Sequence, residues 1–162
     1  MKDIGFIPEI SVIVPVYNAE EFIERCLCSL LGQDFTKSYE IVVINDGSSD
    51  GSLGIIERIA KEHKNIIRVF SQPNGGISAA RNAGLSHVRG KYVLFTDSDD
   101  FVERRYLSAL YDAAERSGAD ITCCNYDVET ALKDYESLRL VINRLQVAID
   151  RANLTNYVEV NV

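Results

Sequence analysis

The chain has 162 residues, of which 46% are apolar and 25% charged, and its formal net charge is −7. This composition predicts one globular domain with a sizeable core, and the negative charge argues against a nucleic-acid binder, which would usually carry a basic stripe. Because the N-terminus lacks a long apolar run and no segment could span a bilayer, we expect a cytoplasmic protein without a signal peptide. The cysteines lack zinc or redox spacing and are expected to be buried, reduced thiols; they are Cys26, Cys28, Cys123 and Cys124.

Short apolar runs alternate with amphipathic segments along most of the chain. Strands are predicted at Ile10–Val16, Glu40–Ile44, Ile66–Phe70, Tyr92–Phe95 and Asp120–Asn125. Helices are predicted at Glu20–Leu31, Leu53–His63, Ile77–His87 and Phe101–Ser117. Four strand–helix alternations indicate an α/β fold with a mostly parallel sheet and right-handed crossovers.

The first two strands each end in residues suited to a ligand site. Pro15 marks the end of the first strand, and Tyr17 follows in a strand-to-helix turn. In this position the tyrosine ring either is accessible to a ligand or only covers the edge of the core. Asn18 is the predicted N-cap of the next helix. Asp46 ends the second strand, where a carboxylate accepts hydrogen bonds from a ligand or holds its own loop as an Asx-turn.

The third helix is preceded by Gly75 and Gly76, whose backbone N–H groups are free to face an anion, although an ordinary loop is the commoner meaning. A face of small residues on this helix predicts close packing on the sheet. Arg81, one turn into the helix, is placed to pair with a phosphate, with Asp46 or with Asp97, or it is a solvated surface residue.

The strand Tyr92–Phe95 reads as buried on both faces and is followed by an acidic run, Asp97 to Asp100. Asp97 and Asp99 project to the same side of an extended chain, and two adjacent carboxylates repel each other unless a cation lies between them. A hard divalent cation, Mg²⁺ or Mn²⁺, is the natural ligand. The alternative is that Asp99 or Asp100 caps a helix starting near Val102.

Four blocks of the sequence resemble the inverting family 2 glycosyltransferases with a GT-A fold. They are Ser11–Asn18, Ile44–Asp50, Asn74–Gly84 and Phe95–Asp100, within a match from Ile10 to about Asp127. The resemblance implies a sugar-nucleotide donor, commonly with UDP, a glycan or lipid-linked acceptor, and a role in surface polysaccharide assembly. It also implies residues 1–127 as the nucleotide-sugar-binding domain, with attachment to the inner face of the membrane as an option.

The resemblance also implies roles for individual residues. Pro15, Val16 and Tyr17 would line the base pocket, Asp46 would read the base, and Arg81 would support the nucleotide site. The family's acidic metal motif corresponds to Asp97-Ser98-Asp99, with Asp97 toward the ribose and Asp99 as the ligand of Mn²⁺ or Mg²⁺ at the diphosphate. No residue of the chain is identifiable as the general base, which in the family lies after the fifth strand.

Residues 128–162 contain no Glu-Asp pair of the kind that family members use as base. Apolar residues at helical spacing instead predict a long helix from about Glu129 to Ala152, followed by a short strand at Tyr157–Val162. Its apolar stripe either folds back over the sheet edge or pairs with a second copy, and we favour a homodimer. The rival function is a nucleotide-sugar-binding module without transferase activity.

Overall fold

The computed structural model describes residues 7–124 and the strand at 157–160. The elements are β1 (Ile10–Val16), α1 (Ile23–Leu31), β2 (Tyr39–Asp46), α2 (Ser52–Glu62), β3 (Ile67–Gln72), α3 (Ile77–His87), β4 (Tyr92–Phe95), α4 (Tyr106–Ser117), β5 (Ile121–Cys124) and β6 (Tyr157–Val160). The chain divides into two compact units, Met1–Ser108 and Ala109–Val162.

The first unit is built on a four-stranded parallel sheet with the order β3-β2-β1-β4. All seven residues of β1 and seven of the eight in β2 are buried, because these central strands have neighbours on both sides. Their β-branched residues suit such a strand. The sheet confirms the α/β class, and its parallel strands bring their carboxyl ends to one edge.

Helix α3 lies very close to the sheet, as its small-residue face predicts. A Cβ atom added to Gly84 would lie 2.5 Å from Cγ2 of Ile13 on β1, so only glycine fits at this crossing. Ala80, one turn earlier, packs in a buried cluster with Val42 and Ile44 of β2. The close approach fixes the start of α3 relative to the carboxyl ends of β1 and β2.

A buried carboxylate organises the opposite edge of the sheet. Glu40 on β2 is fully buried and accepts hydrogen bonds from Ser11 Oγ (2.7 Å), Arg68 Nη1 (3.1 Å), and the backbone N, Nε and Nη2 of Arg89 (2.8, 2.9 and 2.6 Å). Burial raises the pKa of Glu40, but these hydrogen bonds outweigh it and lower the pKa below its ordinary value. Glu40 therefore ties together β1, β2, β3 and the connection between α3 and β4.

Two predicted helix starts are wrong, and in both cases the loop before the helix is held by tertiary contacts. Helix α1 begins at Ile23 without a side-chain cap, because Asn18 has φ 49° and accepts a hydrogen bond from Ser49 N instead. Helix α4 begins at Tyr106, so neither Asp99 nor Asp100 caps it. The amide of Gln33 accepts from Leu107 N and donates to the Glu103 carbonyl, while Ser29 Oγ accepts from Val102 N; these bonds hold residues 101–105 against the end of α1.

Three further expectations are corrected. Strand β4 is only half-buried and Phe95 is 43% exposed, because β4 pairs only with β1 in the described sheet. Strand β5 forms, but it pairs in parallel with β6 in a separate two-stranded sheet. Cys26 is buried, whereas Cys28 is exposed on α1 and Cys123 and Cys124 are half-buried; all four cysteines are reduced. The predicted helix at 129–152 lies outside the described residues.

Candidate functional site

An open cavity of about 320 Å³ lies at the carboxyl edge of the four-stranded sheet. It is lined by the end of β1 and the next residue (Pro15, Val16 and Tyr17), by Asp46 at the end of β2, by the loop before α3 and its first turn (Asn74, Gly76, Ile77 and Ala80), and by the loop after β4 (Asp97, Ser98 and Asp99). Ligands of parallel α/β folds bind at this edge, since the loops that leave the strands converge there.

Tyr17 presents its ring to solvent at the cavity, with 53% of its surface exposed. The following residue, Asn18, adopts a left-handed conformation that turns the chain away from β1. Its backbone N donates to Ser48 Oγ (3.1 Å), and its side-chain Oδ1 accepts from Ser49 N (2.8 Å). The loop carrying Tyr17 is therefore fastened to the loop after β2.

The same two loops are joined by a second set of hydrogen bonds. Ala19 N donates to the buried Ser52 hydroxyl (2.8 Å), and Glu20 N donates to Asp50 Oδ2 (3.1 Å). In return, Gly51 N donates to Glu20 Oε2 (2.6 Å). This reciprocal pairing gives the serine- and aspartate-rich loop after β2 a positioning role that the sequence alone does not indicate.

Asp46 is 98% buried at the end of β2 (2% exposed), and its carboxylate is held by the loop before α3. Oδ1 accepts from Gln72 Nε2 (2.7 Å) and Gly75 N (2.9 Å), and Oδ2 accepts from Gly76 N (2.8 Å). Burial raises the pKa of Asp46, but the three hydrogen bonds outweigh it, so the pKa lies below its ordinary value. The anion facing the two glycines in the described structure is therefore Asp46 itself.

The approach of these loops depends on a glycine after β2. Gly47 has φ +71°, and a Cβ there would lie 2.7 Å from the backbone N of Asn74. The side chain of Asn74 in turn donates to the Asp46 backbone carbonyl (3.1 Å). A larger residue at Gly47 would push the β3–α3 loop away from the cavity.

Arg81 pairs with Asp97, which is one of the three partners that the sequence left open. Its Nη2 lies 2.7 Å from Asp97 Oδ1, and both side chains are more than a third exposed. Arg81 does not itself line the cavity, and its Nε is buried without a hydrogen-bond partner. The ion pair leaves the second carboxylate oxygen of Asp97 for other partners.

The acidic loop concentrates negative charge beside the cavity. Burial, reinforced by the nearby charges of Asp99 and Asp97, raises the pKa of Asp100. Cys26, whose thiol lies 3.5 Å from the Asp97 carbonyl, has its pKa raised to about 12, mainly by burial and further by the three aspartates. The carboxylates repel one another without full compensation, which is the electrostatic condition for binding a cation.

The residues at this edge fit a hard divalent cation. Asp97 and Asp99 both line the cavity and offer the oxygen ligands that Mg²⁺ and Mn²⁺ prefer. Within the described residues no group of three or more side chains forms a ready-made metal cage. A cation would therefore complete its coordination with water and with oxygen atoms of a bound ligand, as is usual for Mg²⁺ beside phosphates.

The structure brings the predicted site residues together, with Arg81 reaching the cavity only through Asp97. Four further residues near the site, Gln72, Asn74, Ile77 and Ala80, were not predicted as site residues from the sequence. Gln72 and Asn74 could have been predicted from their position in the sequence, because they lie between the end of a predicted strand and the glycine pair Gly75-Gly76. Ile77 and Ala80 read as core positions of a helix, and only the position of α3 at the sheet edge places them on the cavity.

Fold and cavity define an α/β protein with a candidate ligand site beyond the carboxyl ends of its parallel strands. A family model described as glycosyl transferase family 2 matches residues 11–156. The chain belongs to this family, and its fold is the GT-A fold.

Similar proteins support the same assignment. Over 118 residues the chain is 45% identical to glycosyltransferase GlyA of Streptococcus pneumoniae, covering 73% of this chain and 17% of that protein. It is 42% identical over 140 residues to the uncharacterized glycosyltransferase EpsJ of Bacillus subtilis, covering 86% of this chain and 40% of that protein. The chain thus spans at most two-fifths of these relatives.

The similar solved structures include complexes with nucleotide sugars. S. aureus TarS 1-349 in complex with UDP-GlcNAc is similar with a TM-score of 0.65 and 32% identity, covering 79% of this chain and 38% of that chain. The mannosyltransferase PcManGT from Pyrobaculum calidifontis, in complex with GDP-Man and Mn²⁺, is similar with a TM-score of 0.65 and 29% identity, covering 83% and 39%. No helix in the described part of our chain is long and apolar enough to cross a membrane.

Proposed function

We propose that this chain is the donor-binding part of an inverting glycosyltransferase. The enzyme transfers a sugar from a nucleoside-diphosphate sugar to a glycan or lipid-linked acceptor. The donor is a UDP-sugar. The observation that carries the proposal is the single cavity lined by Tyr17, Asp46 and the acidic loop after β4. The similarity to TarS, solved with UDP-GlcNAc, supports the choice of donor.

The cavity offers each part of such a donor a chemically suitable partner. The exposed ring of Tyr17, with Pro15 and Val16 beside it, provides an apolar surface for a nucleobase to stack on. Asp46, ionised and buried, accepts an N–H of the base. Asp97, anchored by Arg81, lies on the ribose side of the acidic motif.

The diphosphate belongs beside Ser98 and Asp99. A divalent cation held by Asp99 and Asp97 would stabilise the negative charge that builds on the leaving nucleoside diphosphate. The Arg81–Asp97 ion pair engages Oδ1 of that carboxylate through a single guanidinium nitrogen, Nη2, and so favours an orientation in which the other oxygen is left for a ligand. The described residues thereby orient the donor for a single displacement at the anomeric carbon.

The test of the metal assignment is calorimetry of UDP binding with Mn²⁺ and with EDTA. We expect Mn²⁺ to raise the UDP affinity at least tenfold and Asp99→Ala to abolish that gain. Glu57→Ala is the matched control, because Glu57 is an exposed acid on α2, away from the cavity lining. Equal affinity of the unmodified chain with EDTA and with Mn²⁺ would refute the metal role.

The base pocket is tested by comparing UDP with uridine. Asp46→Ala should weaken both ligands by a similar factor, since both carry the ring. A loss confined to UDP would place Asp46 at the phosphates and overturn the assignment. Transfer or hydrolysis assays with UDP-sugars then separate a transferase from a module that only binds the nucleotide sugar.

A further inference from the structure

The acceptor positions of the Asp46 carboxylate are unequally used. A carboxylate offers about four lone-pair positions, two on each oxygen. Oδ1 accepts two hydrogen bonds, from Gln72 Nε2 and Gly75 N, and is filled. Oδ2 accepts one, from Gly76 N, and so retains one position. Asp46 lines the cavity, and this last position on Oδ2 is the one that no donor among the described residues uses.

Gln72 is placed by the sheet to make this arrangement. It is the last residue of β3 and the register partner of Asp46, the last residue of β2. Its neutral amide donates at 2.7 Å, and no ion pair to Asp46 is present among the described residues. A lysine or arginine here would neutralise the carboxylate, whereas glutamine directs it and leaves its charge in place.

A buried, ionised carboxylate with one open position selects its ligand by hydrogen-bond polarity. The imide N3–H of uracil and the N1–H of guanine are donors and match Oδ2. The unprotonated N3 of cytosine and N1 of adenine are acceptors, and their lone pairs would face the carboxylate at a cost; these two bases have N–H donors on this edge only in their exocyclic amino groups. A carboxylate aimed at the ring nitrogen therefore favours uracil and guanine.

We propose that Gln72 is a positioning residue for the nucleobase: its amide fills Oδ1 of Asp46 and thereby presents Oδ2 to an N–H donor on the base. This inference rests on the proposed function, because it needs the base to bind at Asp46. It adds a residue that does not itself line the cavity and acts only through Asp46.

Two substitutions separate this role from a merely structural one. Gln72→Met keeps the length of the side chain but removes the donor, and it should weaken uridine and UDP by about tenfold each. Gln72→Glu sets a second carboxylate against Asp46. Uridine binding should then be weakest at pH 8 and recover toward pH 5, as the two carboxyls come to share one proton that restores a hydrogen bond.

The matched control is Gln33→Met. The Gln33 amide also donates hydrogen bonds, to the backbone carbonyls of Ser29 and Glu103, but Gln33 does not line the cavity and does not contact Asp46. It should leave uridine affinity unchanged at every pH. Urea unfolding of each variant shows whether the fold is intact, and Gln72→Glu carries the test if Gln72→Met does not fold.

The outcomes distinguish this inference from the function on which it rests. If Asp46→Ala leaves uridine affinity unchanged, both the base site and the role of Gln72 are wrong. If Asp46→Ala weakens uridine but Gln72→Met stays within twofold of the unmodified chain, only the role of Gln72 fails. A pH-independent loss in Gln72→Glu likewise overturns it.

Discussion

The strongest stability prediction concerns Glu40, the fully buried carboxylate at the edge of the sheet opposite the cavity. Replacing Glu40 with glutamine keeps the shape of the side chain but removes the charge that two arginines share. In the wild-type chain, donors bind to both carboxylate oxygens of Glu40. In the glutamine variant only one oxygen can accept hydrogen bonds, and the new NH₂ group is a donor that faces other N–H donors, those of Arg89 or Arg68.

The expected loss of folding free energy depends on how exposed the two arginine partners of Glu40 are. Breaking a buried ion pair by removing one member costs about 3–5 kcal/mol. The side chains of Arg68 and Arg89 are 28% and 48% exposed and can regain water, so the lower end applies, about 3 kcal/mol. For a chain of this size, this corresponds to a fall in Tm of roughly 6–12 °C.

Urea unfolding at pH 7 measures the loss, with the exposed Glu57→Gln as the control for removing a charge. A double-mutant cycle with Arg89→Met should give a coupling of about 1–3 kcal/mol. The folded-state pKa of Glu40 is lowered, so its stabilisation is present above the ordinary value of 4.5 and is lost as the pH falls through the folded-state pKa. A Glu40→Gln variant within 0.5 kcal/mol of the control at pH 7 would refute this reasoning.

Two more predictions address packing and assembly. Gly84→Ala should destabilise the chain by about 1–3 kcal/mol in urea unfolding, because the added methyl group would lie 2.5 Å from Ile13 on β1. Gly54→Ala is the control and should not destabilise the chain, because nothing lies within 4 Å of the added methyl group. Equal effects of the two substitutions would contradict the close crossing of α3 and β1. The predicted homodimer through 129–152 stays a prediction: Asp at both Leu138 and Leu145 should convert a dimer to a monomer and retain UDP binding, and sedimentation showing the unmodified chain as a monomer at high concentration would rule it out.

Most strands and helices were predictable because their signals are local. The apolar runs of β1 and β2 predicted buried strands, and the predicted bounds of α3, Ile77–His87, agree with the structure. The candidate site was also predictable in outline, since residues at the carboxyl ends of parallel strands share one edge. That rule placed Tyr17, Asp46 and Asp97 around one cavity without any contact being known.

The errors came from contacts between segments far apart in sequence. Asparagine is a residue type favoured at helix N-caps, but hydrogen bonds to Ser48 and Ser49, about thirty residues away, hold Asn18 in another conformation. The start of α4 is likewise set by Gln33, which lies just after the end of α1. Local propensity offers the chain several conformations of similar free energy, and such hydrogen bonds decide among them.

By itself, the sequence determined the α/β class, the parallel sheet and the residue types gathered at its edge, because hydrophobic periodicity and strand ends are properties of short segments. Only the tertiary structure decided how those side chains are used. Asp46 is held by Gln72 and two backbone N–H groups, and Arg81 is paired with Asp97. The direction of a carboxylate depends on donors that different loops bring within 3 Å, and that distance is set by packing such as the contact of α3 with β1.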